Sequence, residues 1–86
     1  MSKTPTILQF VATNMIILIT FTTIYSSLPS ETFNIKRKLS FIDALYFATI
    51  THTTVGFGDI YPITTSGRVF TMVHALLIFT SLAIFA

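Results

Sequence analysis

Residues 51–60, Thr-His-Thr-Thr-Val-Gly-Phe-Gly-Asp-Ile, combine residue types that can bind a cation through the backbone. Gly56 and Gly58 permit backbone angles that are closed to other residues. When such angles alternate with ordinary ones, successive carbonyl groups can turn to the same side of the chain. A row of carbonyl oxygens is a hard-ligand site suited to a dehydrated cation. Because one chain supplies only one row, a complete cage needs several copies around an axis, which predicts a ring-shaped homo-oligomer.

The composition indicates where such a loop must lie. Of the 86 residues, 52% are hydrophobic and only 9% are charged, whereas a soluble domain carries about a quarter charged residues. We therefore expect an integral membrane protein with one small domain over residues 1–86. The net charge of +2 and the short basic cluster at residues 36–38 do not indicate nucleic-acid binding. The chain has no cysteine, which excludes disulfides and thiolate metal sites.

Two segments are long enough to cross a bilayer. Residues 7–28 contain no charge and would extend about 33 Å as a helix. A signal peptide is the alternative, but the apolar run is long and no small-residue cleavage site follows it. Residues 66–86 form the second span, and residues 29–39 form a polar connector after the first.

A shorter apolar segment, residues 40–53, lies between these spans. Ser40 and Asp43 have the spacing of a capping box, which predicts that a helix begins there. The helix is too short to cross the membrane, so it either re-enters the bilayer or lies in the interface. The glycine-rich loop favours re-entry, because non-helical backbone at membrane depth needs protein or a water-filled cavity around it. The predicted fold class is an all-α membrane protein with two transmembrane helices flanking a re-entrant helix.

Residues 53–59, Thr-Thr-Val-Gly-Phe-Gly-Asp, resemble the selectivity filter of potassium channels. The order helix, re-entrant helix, filter, helix is similar to the two-span pore of that family over essentially the whole chain. The shortness of the chain and residues 41–62 resemble the miniature potassium channels of algal viruses. The resemblance implies a homotetramer that conducts K⁺ passively, with no enzymatic activity and no cofactor beyond the permeant ion. It implies these parts: outer helix 7–28, connector 29–39, pore helix 40–53, filter 54–59 and inner helix 66–86.

The resemblance also implies roles for individual residues around the filter. Backbone oxygens would frame the K⁺ sites, the Thr54 hydroxyl would close the innermost site, and two glycines would give the backbone its turn. Asp59 would sit at the outer mouth, where it could concentrate cations and hydrogen-bond to Tyr46 of the pore helix. The alternative is that Asp59 only caps a turn. The filter residues so implied are Thr54, Val55, Gly56, Phe57 and Gly58.

The last helix offers candidates for an inner gate. Phe79, Leu82 and Ala86 share one helical face, where four copies meeting at an axis could close a narrow pore by dewetting. Ser81 can hydrogen-bond to the preceding turn and bend the helix. The alternative is that Phe79 and Leu82 pack between subunits. Phe85 lies off this line and is predicted to face lipid or the first helix.

Two histidines suggest a pH or metal site. His52 and His74 have no carboxylate or second histidine at ligand spacing, so we expect structural, hydrogen-bonded residues.

The topology is open to two interpretations. The basic residues 36–38 favour a cytoplasmic connector, whereas the resemblance places the connector outside and both termini in the cytoplasm. We follow the resemblance, and a viral protein of this kind would reside in a host-cell or virion membrane. The rival function is a small viral protein that permeabilises or anchors to a membrane without selectivity.

Overall fold

The structure, a computed structural model, describes residues 6–85, and this part of the chain folds into three α-helices. They are α1 (Thr6–Ser27), α2 (Phe41–His52) and α3 (Thr65–Phe85). Helices α1 and α3 are each long and apolar enough to cross a membrane, with 22 and 21 residues. Helix α2 has 12 residues, so it extends only about 18 Å and cannot span a bilayer. The predicted fold class, an all-α membrane protein, is confirmed.

Helices α1 and α3 pack antiparallel. At one end, the rings of Phe10 and Phe85 meet edge to face with centroids 5.9 Å apart. Further along, Tyr25 of α1 lies beside His74 of α3. Phe85 therefore faces the first helix, as expected from its position on the helical wheel. Ala86, which the sequence placed on the gate face, lies outside the described residues.

An aromatic core fixes α2 at one end of the two spans. Tyr25 of α1, Phe33 of the connector and Phe47 of α2 are all buried. Their rings meet edge to face, with centroids 4.9 Å apart for Tyr25 and Phe47 and 5.2 Å apart for Phe33 and Phe47. Edge-to-face pairs add about 0.5–1.5 kcal/mol each to the burial of the rings. The connector is thus part of the core and is not only the polar loop that its composition suggested.

Side-chain caps determine where the second and third helices begin. The Ser40 Oγ accepts a hydrogen bond from the Asp43 N–H at 3.1 Å. The carboxylate of Asp43 binds the Arg37 guanidinium, which holds the pKa of Asp43 below its usual value. The Thr64 Oγ1 accepts from the Gly67 N–H at 3.1 Å and caps α3. These bonds satisfy amide groups that the first turn of a helix leaves free.

Gly67 packs tightly where α3 begins. A Cβ atom on Gly67 would lie 2.6 Å from the Thr32 Cγ2 and 3.0 Å from the Pro62 Cβ. Alanine favours a helix over glycine by about 1 kcal/mol, but overpacking of this kind costs about 1–3 kcal/mol. We therefore expect Gly67→Ala to lower the melting temperature of the protein in detergent. The matched control is Ser66→Ala, at an exposed site in the same turn. A higher melting temperature in Gly67→Ala would show that Thr32 yields at little cost.

Candidate ion-conduction site

The backbone after α2 alternates between two conformations. Thr54, Gly56 and Gly58 have φ values of 64°, 55° and 86°, whereas Val55 and Phe57, which lie between them, do not have positive φ. We predicted this alternation from the sequence, because it can turn successive carbonyl groups to the same side of the chain. The glycines were expected to adopt such angles, but Thr54 was not, because a β-branched residue rarely has positive φ.

Amide groups of the loop bind the last carbonyls of α2. The Thr54 N–H donates to the Thr51 carbonyl at 3.1 Å, and the Gly56 N–H donates to the Ile50 carbonyl at 3.1 Å. These bonds satisfy carbonyls that the end of a helix leaves without intrahelical partners. They also fold the loop back onto the end of α2, which carries the partial negative charge of the helix dipole.

The far end of the loop is tied to two other elements. The Tyr46 hydroxyl donates to the Asp59 Oδ2 at 2.7 Å, which is the hydrogen bond that we expected from the sequence. The Asn34 Nδ2 donates to the Asp59 carbonyl at 2.9 Å, and the Asn34 Oδ1 accepts from the Tyr61 N–H at 2.8 Å. Sequence reasoning missed Asn34, because a single asparagine in a polar connector gives no signal of a partner 25 residues away.

The connector and the segment after the loop are also joined through their backbones. The Asn34 N–H donates to the Tyr61 carbonyl at 2.9 Å, and the Ile63 N–H donates to the Thr32 carbonyl at 2.7 Å. Phe33 and Pro62 form an isolated antiparallel bridge between these bonds. The segment between Asp59 and α3 is therefore fixed against the connector.

Side chains of the loop itself point away from the protomer. Val55 is 53% exposed and Phe57 is 70% exposed. A Cβ atom at Gly56 or Gly58 would meet nothing within 4 Å. One chain thus supports this loop through its backbone and leaves its side chains uncovered.

The three gate candidates of α3 lie on two different faces. Phe79 and Leu82 are 66% and 46% exposed. Ser81 is buried, and its Oγ lies 2.9 Å from the Ile78 carbonyl and 3.4 Å from the Asn14 Oδ1 of α1. Phe79 and Leu82 are therefore available to a neighbouring molecule, whereas Ser81 faces the first helix.

The two histidines, which lack ligand spacing in the sequence, lie against each other in the structure. The His52 Nδ1 is 3.1 Å from the His74 Nε2. Both rings have further hydrogen-bond partners in Asn14 and Tyr25, so the expected hydrogen-bonded role is confirmed. Sequence reasoning missed Asn14 and Tyr25, although a polar side chain inside an apolar span is costly and often functional. Within residues 6–85, no group of three or more His, Cys, Asp or Glu side chains is placed to hold a metal ion.

The fold and the loop define an integral membrane protein that holds a potential cation-binding backbone between two spans. Residues 12–86 match the protein family described as ion channel. The chain therefore belongs to the ion channel family. Channels of this kind move ions passively, so the protein is not an enzyme.

Two relatives show the resemblance in more detail. The chain is 39% identical over 72 residues to the potassium channel protein kcv of Paramecium bursaria Chlorella virus 1, and the match covers 77% of each protein. It is 34% identical over 68 residues to two-pore potassium channel 4 of Arabidopsis thaliana. That match covers 79% of this chain but only 24% of the plant protein. The resemblance to potassium channels, and to a viral one in particular, is confirmed.

The hydrogen bond between Tyr46 and Asp59 predicts how the outer end of the loop responds to a mutation. Tyr46→Phe keeps the ring and removes the only donor that α2 offers to this carboxylate within the described residues. Because this bond joins the Asp59 end of the loop to α2, we expect its loss to make amide hydrogen exchange at residues 57–60 severalfold faster. The control is Tyr61→Phe, since the Tyr61 hydroxyl has no hydrogen-bond partner within residues 6–85. Equal exchange rates in wild type and Tyr46→Phe would contradict this role of Tyr46.

Proposed function

We propose that four copies of this chain assemble in a lipid bilayer around a pore that conducts K⁺ selectively and passively. The observation that carries the proposal is the positive φ at Thr54, Gly56 and Gly58, every second residue of the loop. In a ring of four copies, the carbonyl rows would face a common axis and form stacked oxygen cages.

Backbone oxygens are the ligands in the proposed cages. The carbonyls of the four residues 54–57 would bind K⁺ in place of its hydration shell, and the Thr54 hydroxyl would close the innermost site. Gly58 would complete the turn toward the outer mouth. The choice of K⁺ over other cations is supported by the names of both relatives, which are potassium channels.

Uncovered apolar side chains support assembly into a ring. Val55 and Phe57 are more than half exposed, and Leu76 and Phe79 on the exposed face of α3 are 63% and 66% exposed. Lipid can cover side chains at the periphery, but filter side chains next to an ion pathway need protein around them. Neighbouring copies around an axis would cover Val55 and Phe57 and leave the carbonyl oxygens free for the ion.

The proposed topology puts Asp59 at the outer mouth and both termini in the cytoplasm. Helix α2 would then aim its carboxyl end at the central cavity, where the helix dipole favours a cation. The basic residues 36–38 are exposed and would lie at the outer headgroup level. The Asp59 carboxylate, held by Tyr46, would raise the local concentration of cations at the entrance.

Single-channel recording of the purified protein in planar bilayers tests this function. With K⁺ on one side and Na⁺ on the other, we expect a reversal potential close to the K⁺ equilibrium value. Native mass spectrometry should give four copies per particle. A reversal potential near zero would favour the alternative, a viral protein that permeabilises membranes without selectivity, and would overturn the proposal.

Replacing Gly56 by L-alanine or by D-alanine tests whether the loop needs a positive φ at this position. Because Gly56 has a φ of 55°, L-alanine at this position costs about 1–2 kcal/mol per subunit in backbone strain. We expect Gly56→Ala to abolish K⁺-selective current while the protein still inserts and assembles. The matched control is D-alanine at the same position by semisynthesis, which adds the same methyl group but favours positive φ. It should conduct, because a D-residue adopts the φ of 55° without backbone strain. Normal selectivity in the L-alanine variant would refute the filter assignment.

The inner gate is proposed at Phe79 and Leu82, whose side chains are exposed on α3. We expect Phe79→Ala or Leu82→Ala to shorten long closed times with the reversal potential unchanged, because a smaller side chain weakens dewetting of the pore. Ser81→Gly tests the helix bend, since Ser81 bonds to the carbonyl of Ile78. The measurement is the distribution of closed times in single-channel records. Unchanged closed times in all three variants would place gating at the filter.

A further inference from the structure

Four polar side chains form a continuous chain of hydrogen bonds across the three helices. The Tyr25 hydroxyl lies 2.8 Å from the His74 Nδ1, and the His74 Nε2 lies 3.1 Å from the His52 Nδ1. The His52 Nε2 lies 2.8 Å from the Asn14 Oδ1. We call these residues, Tyr25, His74, His52 and Asn14, the polar relay. It joins α1 to α3, α3 to α2, and α2 back to α1.

Hydrogen-bond chemistry allows one arrangement of protons along the relay when both rings are neutral. The Asn14 Nδ2 donates to the Phe10 carbonyl, so the Oδ1 faces His52 and can only accept. His52 must therefore donate from Nε2 and accept at Nδ1 from the His74 Nε2–H. His74 in turn accepts at Nδ1 from the Tyr25 hydroxyl. Each contact of the relay then pairs one donor with one acceptor, and no buried side-chain nitrogen or oxygen within the described residues lacks a partner.

The relay is the polar connection between the inner helix and the candidate filter. The bond between His52 and His74 is the only side-chain hydrogen bond that joins α2 to α3 within residues 6–85. His52 is the last residue of α2, and Thr54, two residues later, begins the run of alternating φ. A displacement of His74 along or around the α3 axis therefore acts directly on this hydrogen bond, two residues before the loop's first positive φ.

The cost of this arrangement argues for more than packing. Four polar side chains between membrane helices need desolvation, and leucine side chains would fill the same space without it. His74 and Tyr25 have no exposed surface, and Phe21 stacks on the His74 ring with centroids 4.5 Å apart. A directional polar contact in such a place fixes one relative position of the helices, because a shift breaks the bond.

We propose that the polar relay positions the filter, so that the inner helix controls the conducting state of the loop through His74 and His52. This inference rests on the proposed function and adds the coupling between its two parts. His52, His74 and Asn14 are positioning residues, because none of them supplies an oxygen to the proposed cages. When α3 holds His74 within hydrogen-bond distance of His52, the end of α2 keeps Thr54 in its positive-φ conformation. When this hydrogen bond is broken, the loop leaves the conducting geometry.

The test is single-channel recording in symmetric K⁺ with His52→Leu, His74→Leu and the double variant. We expect each single variant to raise the closed-to-open ratio at least about fivefold, because it breaks the bond between His52 and His74 and one further bond of the relay, and one ordinary hydrogen bond is worth about that factor. The effects in the double variant should be less than additive, because both single variants break the bond between His52 and His74. His74→Gln keeps a side-chain N–H donor and should restore the ratio to within about twofold of wild type.

Controls separate positioning from simple stability. Thr23→Val removes a polar group of α1 that bonds only to its own helix at Ile19, and it should leave the closed-to-open ratio unchanged. A purely structural role would reduce the number of assembled channels but leave the closed times of each channel as in wild type. If His74→Leu does not assemble, Asn14→Leu breaks the relay from α1 and should raise the same ratio.

The inference is wrong if assembled His52→Leu and His74→Leu channels have wild-type closed times, or if the effects in the double variant are additive. Where His74→Leu does not assemble, wild-type closed times in Asn14→Leu would overturn it. The proposed function fails separately, on the reversal potential of the wild-type channel in K⁺ and Na⁺. If the wild-type channel is K⁺-selective and the variants have wild-type closed times, the coupling is rejected and the proposed function stands.

Discussion

Backbone amides and carbonyls inside a membrane protein need partners from the protein itself, and residues 53–58 leave the helical conformation between two spans. The other elements can be understood from this constraint. Helix α2 is short and ends beside the loop, so its last carbonyls accept from Thr54 and Gly56. The connector folds against the segment after the loop. There the Asn34 side-chain amide donates to the Asp59 carbonyl and accepts from the Tyr61 N–H, as a backbone peptide group would. The aromatic core around Phe47 holds α2 where these bonds can form.

The two ends of the loop are held in different ways. At the Asp59 end, side-chain bonds from Tyr46 and Asn34 and a backbone bridge from the connector act in parallel, so the loss of one leaves others in place. At the Thr54 end, the only side-chain hydrogen bond to α3 within the described residues is the one that His52 makes. Several contacts side by side resist displacement of the loop, whereas a single contact transmits the displacement of α3. The asymmetry suits the proposed channel, in which the Asp59 end would form a fixed outer mouth and α3 would move.

Hydrophobic length and capping residues were sufficient to predict the fold class, because a bilayer allows few arrangements of two long apolar segments and one short one. The glycines identified the loop, since positive φ has a strong residue preference. The positive φ of Thr54 was not predictable, because it opposes the preference of threonine and depends on bonds to the end of α2. The polar relay was missed for a different reason. His52 lies 22 residues from His74 and 38 from Asn14, and no local pattern links positions so far apart.

The backbone strain at Thr54 links the proposed assembly of several copies to the proposed positioning of the loop by His52. A non-glycine residue at positive φ costs on the order of 1–3 kcal/mol, and within one chain the Thr54 N–H recovers a single hydrogen bond at 3.1 Å. The exposed Val55 and Phe57 show that a protomer does not complete the packing around this backbone. In the proposed ring, every copy would carry the same strain, and neighbouring chains, bound cations and the contact at His52 would together stabilise the alternating conformation. A backbone held by such a balance is sensitive to a small displacement of any one support, which is the property that a channel needs in order to open and close.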